Sequence, residues 1–150
     1  MKRGMIMLML LLLCLCGCSE RVPEADLERP VKAVYAEADS PAAHTAIWED
    51  CEYTCYILFT AADNLTDVRL SMLDIMDAPT IRLGEVFYSA AEMEYGETLL
   101  AGVVYYGDLT TYAITFVDSS GAERTFSCFM SGKDGSLIFE EKECVELSDE

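Results

Sequence analysis

From about residue 47 onward, apolar and polar positions alternate with a period of two, which is how strands with one buried face are written. Cys51, Tyr53, Cys55, Ile57 and Phe59 alternate with Glu52, Thr54, Tyr56, Leu58 and Thr60, predicting a strand over 51–59. Both of its faces are apolar enough for an inner position. Ala62-Asp63-Asn64 interrupts the pattern, and Val68 to Leu73 predicts a second strand. Asp77-Ala78-Pro79 stops that strand, and residues 81–88 predict a third. Ser89 to Glu97 reads as an acidic loop or a single helical turn. Leu99 to Tyr106 predicts a fourth strand, ended by Gly107-Asp108. The clearest local signal follows. Tyr112, Ile114 and Phe116 alternate with small or polar residues, Asp118-Ser119-Ser120-Gly121 forms a turn, and Phe126, Cys128 and Met130 resume the alternation. That order predicts a β-hairpin. Ser131-Gly132-Lys133-Asp134-Gly135 is a second tight turn, feeding a strand over 136–140, and Cys144 to Leu147 predicts a last edge strand.

About seven short strands, with turn signals every eight to twelve residues, point to an all-β domain built as an antiparallel two-sheet β-sandwich. An immunoglobulin-like arrangement fits that spacing. The antibody-type Cys…Trp…Cys order is missing, because Trp48 precedes every cysteine of the domain.

The N-terminus follows a different pattern. Lys2 and Arg3 precede an unbroken apolar run from Met5 to Leu15, and polar sequence begins at Ser19-Glu20-Arg21. Charge, apolar run and small residue in that order are the layout of a signal peptide. A membrane-spanning helix needs about 20 apolar residues. The 11 residues here, at about 1.5 Å each, cover roughly half the hydrocarbon thickness. Leu15-Cys16-Gly17-Cys18 closes the leader and resembles the lipobox of bacterial lipoproteins, in which cleavage before the cysteine exposes a thiol that receives diacylglycerol. Cys14 and Cys16 lack a small residue before them, so the resemblance places lipidation at Cys18. It implies localisation at the cell membrane, lipid-anchored on the extracytoplasmic face. The expected organisation is a signal peptide over 1–17, a tether over 18–46 and a β-sandwich over 47–150. The tether is inferred from Pro23, Pro30, Pro41, several alanines and many charges, with a short helical turn over 31–38.

A second resemblance lies near the C-terminus. Ile114 to Gly121, then Phe126, then Ser131-Gly132-Lys133-Asp134-Gly135-Ser136-Leu137, is similar to the ending of uncharacterised bacterial exported proteins with an SGxDGSL turn. It covers about residues 109–140 and implies a small exported β domain without a known activity.

Charge narrows the partners. Losing residues 1–17 leaves 133 of the 150 residues and moves the formal charge from −17 to −19. A body so acidic gains nothing from counterion release on a polyanion, which argues against nucleic acid. It also cannot dock electrostatically on an anionic bilayer, so lipid on Cys18 must supply the membrane contact.

Four cysteines remain in the predicted domain: Cys51, Cys55, Cys128 and Cys144. An exported domain with four thiols allows up to two disulfides in three connectivities. On one strand Cys51 and Cys55 would stand about 13 Å apart, beyond the roughly 7 Å between Cα atoms that a disulfide tolerates. Each would then need Cys128 or Cys144.

Catalytic patterns are sparse. The only histidine, His44, falls in the predicted tether, away from any serine or cysteine nucleophile of the domain. Ser131 and Lys133 do not match S-x-x-K, and neither G-x-S-x-G nor a phosphate-cradling glycine motif occurs. No cofactor is implied. Asp63, Asn64 and Asp67, with Asp74 and Asp77, offer oxygen ligands for calcium, but fewer than the six to eight the ion prefers. Lys133 and Asp134 mark a candidate recognition loop. The expectation is a non-catalytic surface module that binds a protein or glycan, or contributes to envelope structure. A calcium-dependent binder or an accessory subunit of a surface enzyme is the alternative.

Overall fold

The computed structural model describes residues 29–75, 81–106 and 111–143. The leader, Cys18, Asp77 and the Cys144–Leu147 segment lie outside them. Nine strands occur among the described residues: β1 (Val31–Ala36), β2 (His44–Ile47), β3 (Cys55–Ala61), β4 (Leu65–Ile75), β5 (Ile81–Met93), β6 (Thr98–Val103), β7 (Thr111–Val117), β8 (Glu123–Met130) and β9 (Leu137–Lys142). They form a four-stranded sheet in the order β1-β3-β6-β2 and a five-stranded sheet in the order β5-β4-β7-β8-β9. The two sheets pack face to face as a β-sandwich, as the alternation predicts. All strand pairs are antiparallel except β2, which runs parallel to β6 along the edge.

Alternation decides which side chains meet between the sheets. Ile57, Phe59 and Ala61 of β3 and Leu99, Ala101 and Val103 of β6 face Val68, Leu70, Ile114, Phe116 and Phe126 of the other sheet, and all are buried. Aromatic rings carry the contact across the gap. Phe116 stacks on Phe126 with centroids 5.8 Å apart, Phe126 on Phe139 at 5.1 Å, and Phe139 meets Phe59 of the opposite sheet at 6.0 Å. Each ring removes a large apolar area from water, and the offset contacts add to that burial.

The β7–β8 hairpin forms where the sequence places it. Gly121 adopts φ +84°, the Asp118 N–H donates to the Ala122 carbonyl at 2.9 Å, and Asp118 Oδ1 accepts from the Ser120 and Ala122 amides.

Four expectations are corrected. The stretch expected to be a tether supplies β1 and β2 from residue 31 onward, so the domain begins well before residue 47, and Val31 is fully buried. Residues 31–36 form a strand rather than a helical turn, because all six pair in unbroken register with β3, from Val31 opposite Ala61 to Ala36 opposite Tyr56. The strand expected over 51–59 starts only at Cys55. Thr54 turns the chain ahead of it: its hydroxyl accepts from the Cys51 amide at 2.9 Å and donates to the Glu49 carbonyl at 2.8 Å. The loop expected over 89–97 is largely strand, since β5 continues to Met93 as the edge partner of β4.

Gly102 shows how closely β2 sits on β6. A Cβ at this position would meet Ile47 Cδ1 at 2.8 Å. Only glycine leaves room there without a shift.

Burial of Val31 separates a strand from a linker. Val31→Ala should lower the unfolding free energy by about 2 kcal/mol in a denaturant titration. Val34→Ala on the same strand, whose side chain is more than half exposed, should cost under about 0.5 kcal/mol. Equal and negligible effects would return residues 31–36 to a tether.

Candidate functional site

Four of the residues singled out by sequence, Cys55, Cys128, Lys133 and Asp134, lie at one end of the sandwich. The turn over 131–136 is closed by Ser131 N–H donating to the Ser136 carbonyl and Gly135 N–H donating to the Ser131 carbonyl, both at 2.8 Å, with Gly135 at φ +72°. Asp134 Oδ1 accepts from the Ser136 amide at 3.0 Å and from its hydroxyl at 2.7 Å. Those bonds, the hydroxyl's foremost, hold the Asp134 carboxyl below the usual carboxylate range. One predicted recognition residue is therefore occupied in shaping the turn, while Lys133 beside it is exposed.

Tyr35 of β1 reaches across from the other sheet and donates its hydroxyl to the Gly135 carbonyl at 3.0 Å. Between these two elements opens a groove of about 480 Å³, whose walls include Tyr35, Glu37, Cys55, Tyr56 and Met130. Its size is that of a small-ligand or peptide side-chain site.

Two of the predicted disulfide cysteines lie here. Cys55 is the first residue of β3, half-buried on the groove wall, and burial pushes its thiol up. Cys128 of β8 is fully buried, and desolvation pushes its thiol up to about 12. The Tyr105 hydroxyl lies 3.9 Å from the Cys128 sulfur, and burial followed by the charge of that thiol drives the Tyr105 pKa upward. Tyr35 and Cys55 share the groove wall, and the Tyr105 hydroxyl stands beside Cys128. Cys51 is exposed on the Thr54 turn. Cys51, Cys55 and Cys128 are free thiols, so the expected bridging among these three is not made, and Cys144 lies outside the described residues. Raised thiol pKa values keep Cys55 and Cys128 protonated near neutral pH, which suits packing better than nucleophilic chemistry.

Other candidates resolve into structural roles. His44 lies on β2, not in a tether, with Nε2 3.5 Å from Glu97 Oε2 and its ring against Tyr88. Asp63 accepts from the Ser119 amide and hydroxyl, Asn64 Oδ1 from the Tyr95 amide, and Asp67 lies 3.4 Å from Arg69. At Asp63, Asn64 and Asp67 the side-chain oxygens proposed for calcium thus serve protein donors. No group of three or more metal-ligating side chains occurs among the described residues. A larger opening of about 770 Å³ at the far end runs between β8 and β9. There Arg124 forms a bidentate pair with Glu141, both contacts at 2.6 Å, and its cation also lies over the Phe126 ring. Those charges neutralise one another.

No family model, curated protein or solved structure matches the chain.

The depressed carboxylates set the acid response. Glu141, held down chiefly by Arg124, and Asp118, held down chiefly by the Ser120 hydroxyl, are more acidic in the folded state than in the unfolded chain. Their stabilisation is complete above the unfolded carboxylate value of about 4 and is lost as pH falls through the folded values. The melting temperature should stay flat from neutral pH to about 5 and fall below about 4. Glu141→Gln should lower the neutral-pH plateau and shallow the acid slope, by no more than about 1 kcal/mol because the pair is half exposed. An unchanged slope would remove Arg124–Glu141 from the account.

Proposed function

We propose that this chain is a bacterial surface lipoprotein, held at the membrane by lipid on Cys18, whose sandwich serves as a non-catalytic binding or envelope-structural module. The observation that carries the reading is Leu15-Cys16-Gly17-Cys18 behind a basic start and an apolar run too short to span a bilayer. Strand β1 begins 13 residues after Cys18. At about 3.4 Å per residue the domain then stands within roughly 45 Å of its anchor. The tether is therefore half the length that composition suggests, and the sandwich works close to the bilayer.

The Tyr35–Met130 groove supports the binding role. It is open, mostly apolar and bordered by Glu37, and burial pushes up the thiol on its wall, Cys55, which keeps it protonated rather than activated. A body of formal charge −19 after cleavage is repelled by anionic headgroups, so attachment falls to the acyl chains. Two or more acyl chains hold stably where one holds marginally.

Fractionation of expressing cells tests the reading. Wild-type protein should sediment with membranes and leave them only in detergent, with a mature N-terminal mass carrying the diacylglycerol on Cys18. Cys18→Ser should lose the lipid mass and the firm retention. If the Ser variant is held at the envelope as tightly as the parent, lipid is not the anchor and the reading fails.

A further inference from the structure

A sandwich of this kind has four edge strands, and three of them are guarded. β2 has only four residues. β5 is disturbed by two register shifts against β4, and such bulges twist an edge away from new partners. β9 is lined by Glu140, Glu141 and Lys142, and its Phe139 carbonyl already accepts from the Arg29 guanidinium at 3.0 Å. β1 differs. Its six residues pair with β3 without a break, it carries one charge, Lys32, and Val34 and Tyr35 are 55% and 41% exposed. A flat, regular, apolar edge is a template for another strand.

The hydrogen-bond phase shows which backbone groups are offered. The Ala62 amide donates to the Pro30 carbonyl at 2.8 Å, and Pro30 stands opposite Ala62 in the β1–β3 register. Bonded and non-bonded pairs alternate in an antiparallel ladder. Lys32, Val34 and Ala36 therefore turn their amides and carbonyls toward β3, while Ala33 and Tyr35 turn theirs to the side that no described strand pairs; Val31 faces that side too but is fully buried. The groove lies at the C-terminal end of that edge, so a strand laid along it would send alternate side chains between Tyr35 and Met130.

Charge selects the occupant. Glu37 lines the groove, Asp39 and Asp134 are exposed nearby, and Lys32 and Lys133 are the opposing cations. The formal charge of the whole chain is −17, so a second copy of the same edge would bring like charges together. We propose that β1 takes up an extended, lysine- or arginine-bearing segment of a partner protein by strand addition, seating alternate apolar side chains in the groove. This rests on the reading of the chain as a surface binding module and deepens it by naming the partner's chemistry.

Hydrogen exchange on the full chain in detergent tests it, with a capped heptapeptide of alternating lysine and valine as the probe. The Ala33 and Tyr35 amides should slow by at least about tenfold at saturation, with β5 and β9 unchanged. A peptide N-methylated at every residue, which has no amide donor on either edge, and one with glutamate for lysine, should give no protection. Ala33→Pro removes an edge donor without touching the β1–β3 ladder, and should abolish the effect while Lys32 and Val34 stay protected. Should that variant loosen β1 itself, the N-methylated peptide decides. Equal protection by the methylated peptide would reduce the interaction to charge attraction. Protection at another edge, or none, would overturn the proposal. Retention of the wild-type protein at the membrane is read separately, so failure here leaves the anchoring result standing.

Discussion

Two apolar sheet faces that cannot both meet water are the constraint on which this molecule depends. Neither sheet can leave its inner face in water, since the core draws on both. The column Phe116–Phe126–Phe139–Phe59 is where the faces are pressed together. Phe139 sits on the last described strand and Phe59 on the third, so the column closes the chain over a long sequence distance before much apolar burial is gained. Recruitment of β1 follows from the same demand: Phe59 and Ile57 would be partly open along the sheet edge if Val31, Ala33 and Tyr35 did not extend it.

That recruitment shapes the rest. Because β1 belongs to the sandwich, the first described strand begins only 13 residues after Cys18. Because β1 is also the outermost described strand of its sheet, Tyr35 spans to the Gly135 carbonyl, leaving the groove beside it. The far end is lined differently: Arg124 pairs with Glu141 and Asp118, and its cation lies over the Phe126 ring. The opening at one end of the sandwich is walled by paired charge, and the groove at the other is aromatic and bordered by acid.

Strand-by-strand legibility follows local chemistry. The β7–β8 hairpin was readable because its alternation is uninterrupted and its turn carries Asp118 and Gly121, each needed for its own conformational reason. β1 was not, because Pro30, Pro41 and the surrounding alanines and acids have the composition of a linker, and an edge strand buries too few side chains to show a strong period. The Cys51–Thr54 turn was hidden because cysteine and tyrosine continue the alternation through it; only the bonds of the Thr54 hydroxyl reveal where the strand starts. β5 beyond Tyr88 was missed for a related reason, since Ser89, Ala91 and Glu92 face solvent on an edge. The candidate site was legible residue by residue, as Cys55, Cys128, Lys133 and Asp134, but not as a place. Their meeting depends on the strand order β1-β3-β6 opposite β8, which no local pattern encodes.

The claim that residues 31–36 are an integral, one-sided edge of the sandwich is the point on which groove, tether length and partner chemistry turn. Residue-resolved hydrogen exchange of the native protein tests it most directly. The amides of Lys32, Val34 and Ala36 should be protected and those of Ala33 and Tyr35 should exchange fast, an alternation set by pairing on one side only. Uniformly fast exchange across the segment would make it a linker. Uniform protection would mean that its outer side is already occupied, and either result would contradict the account.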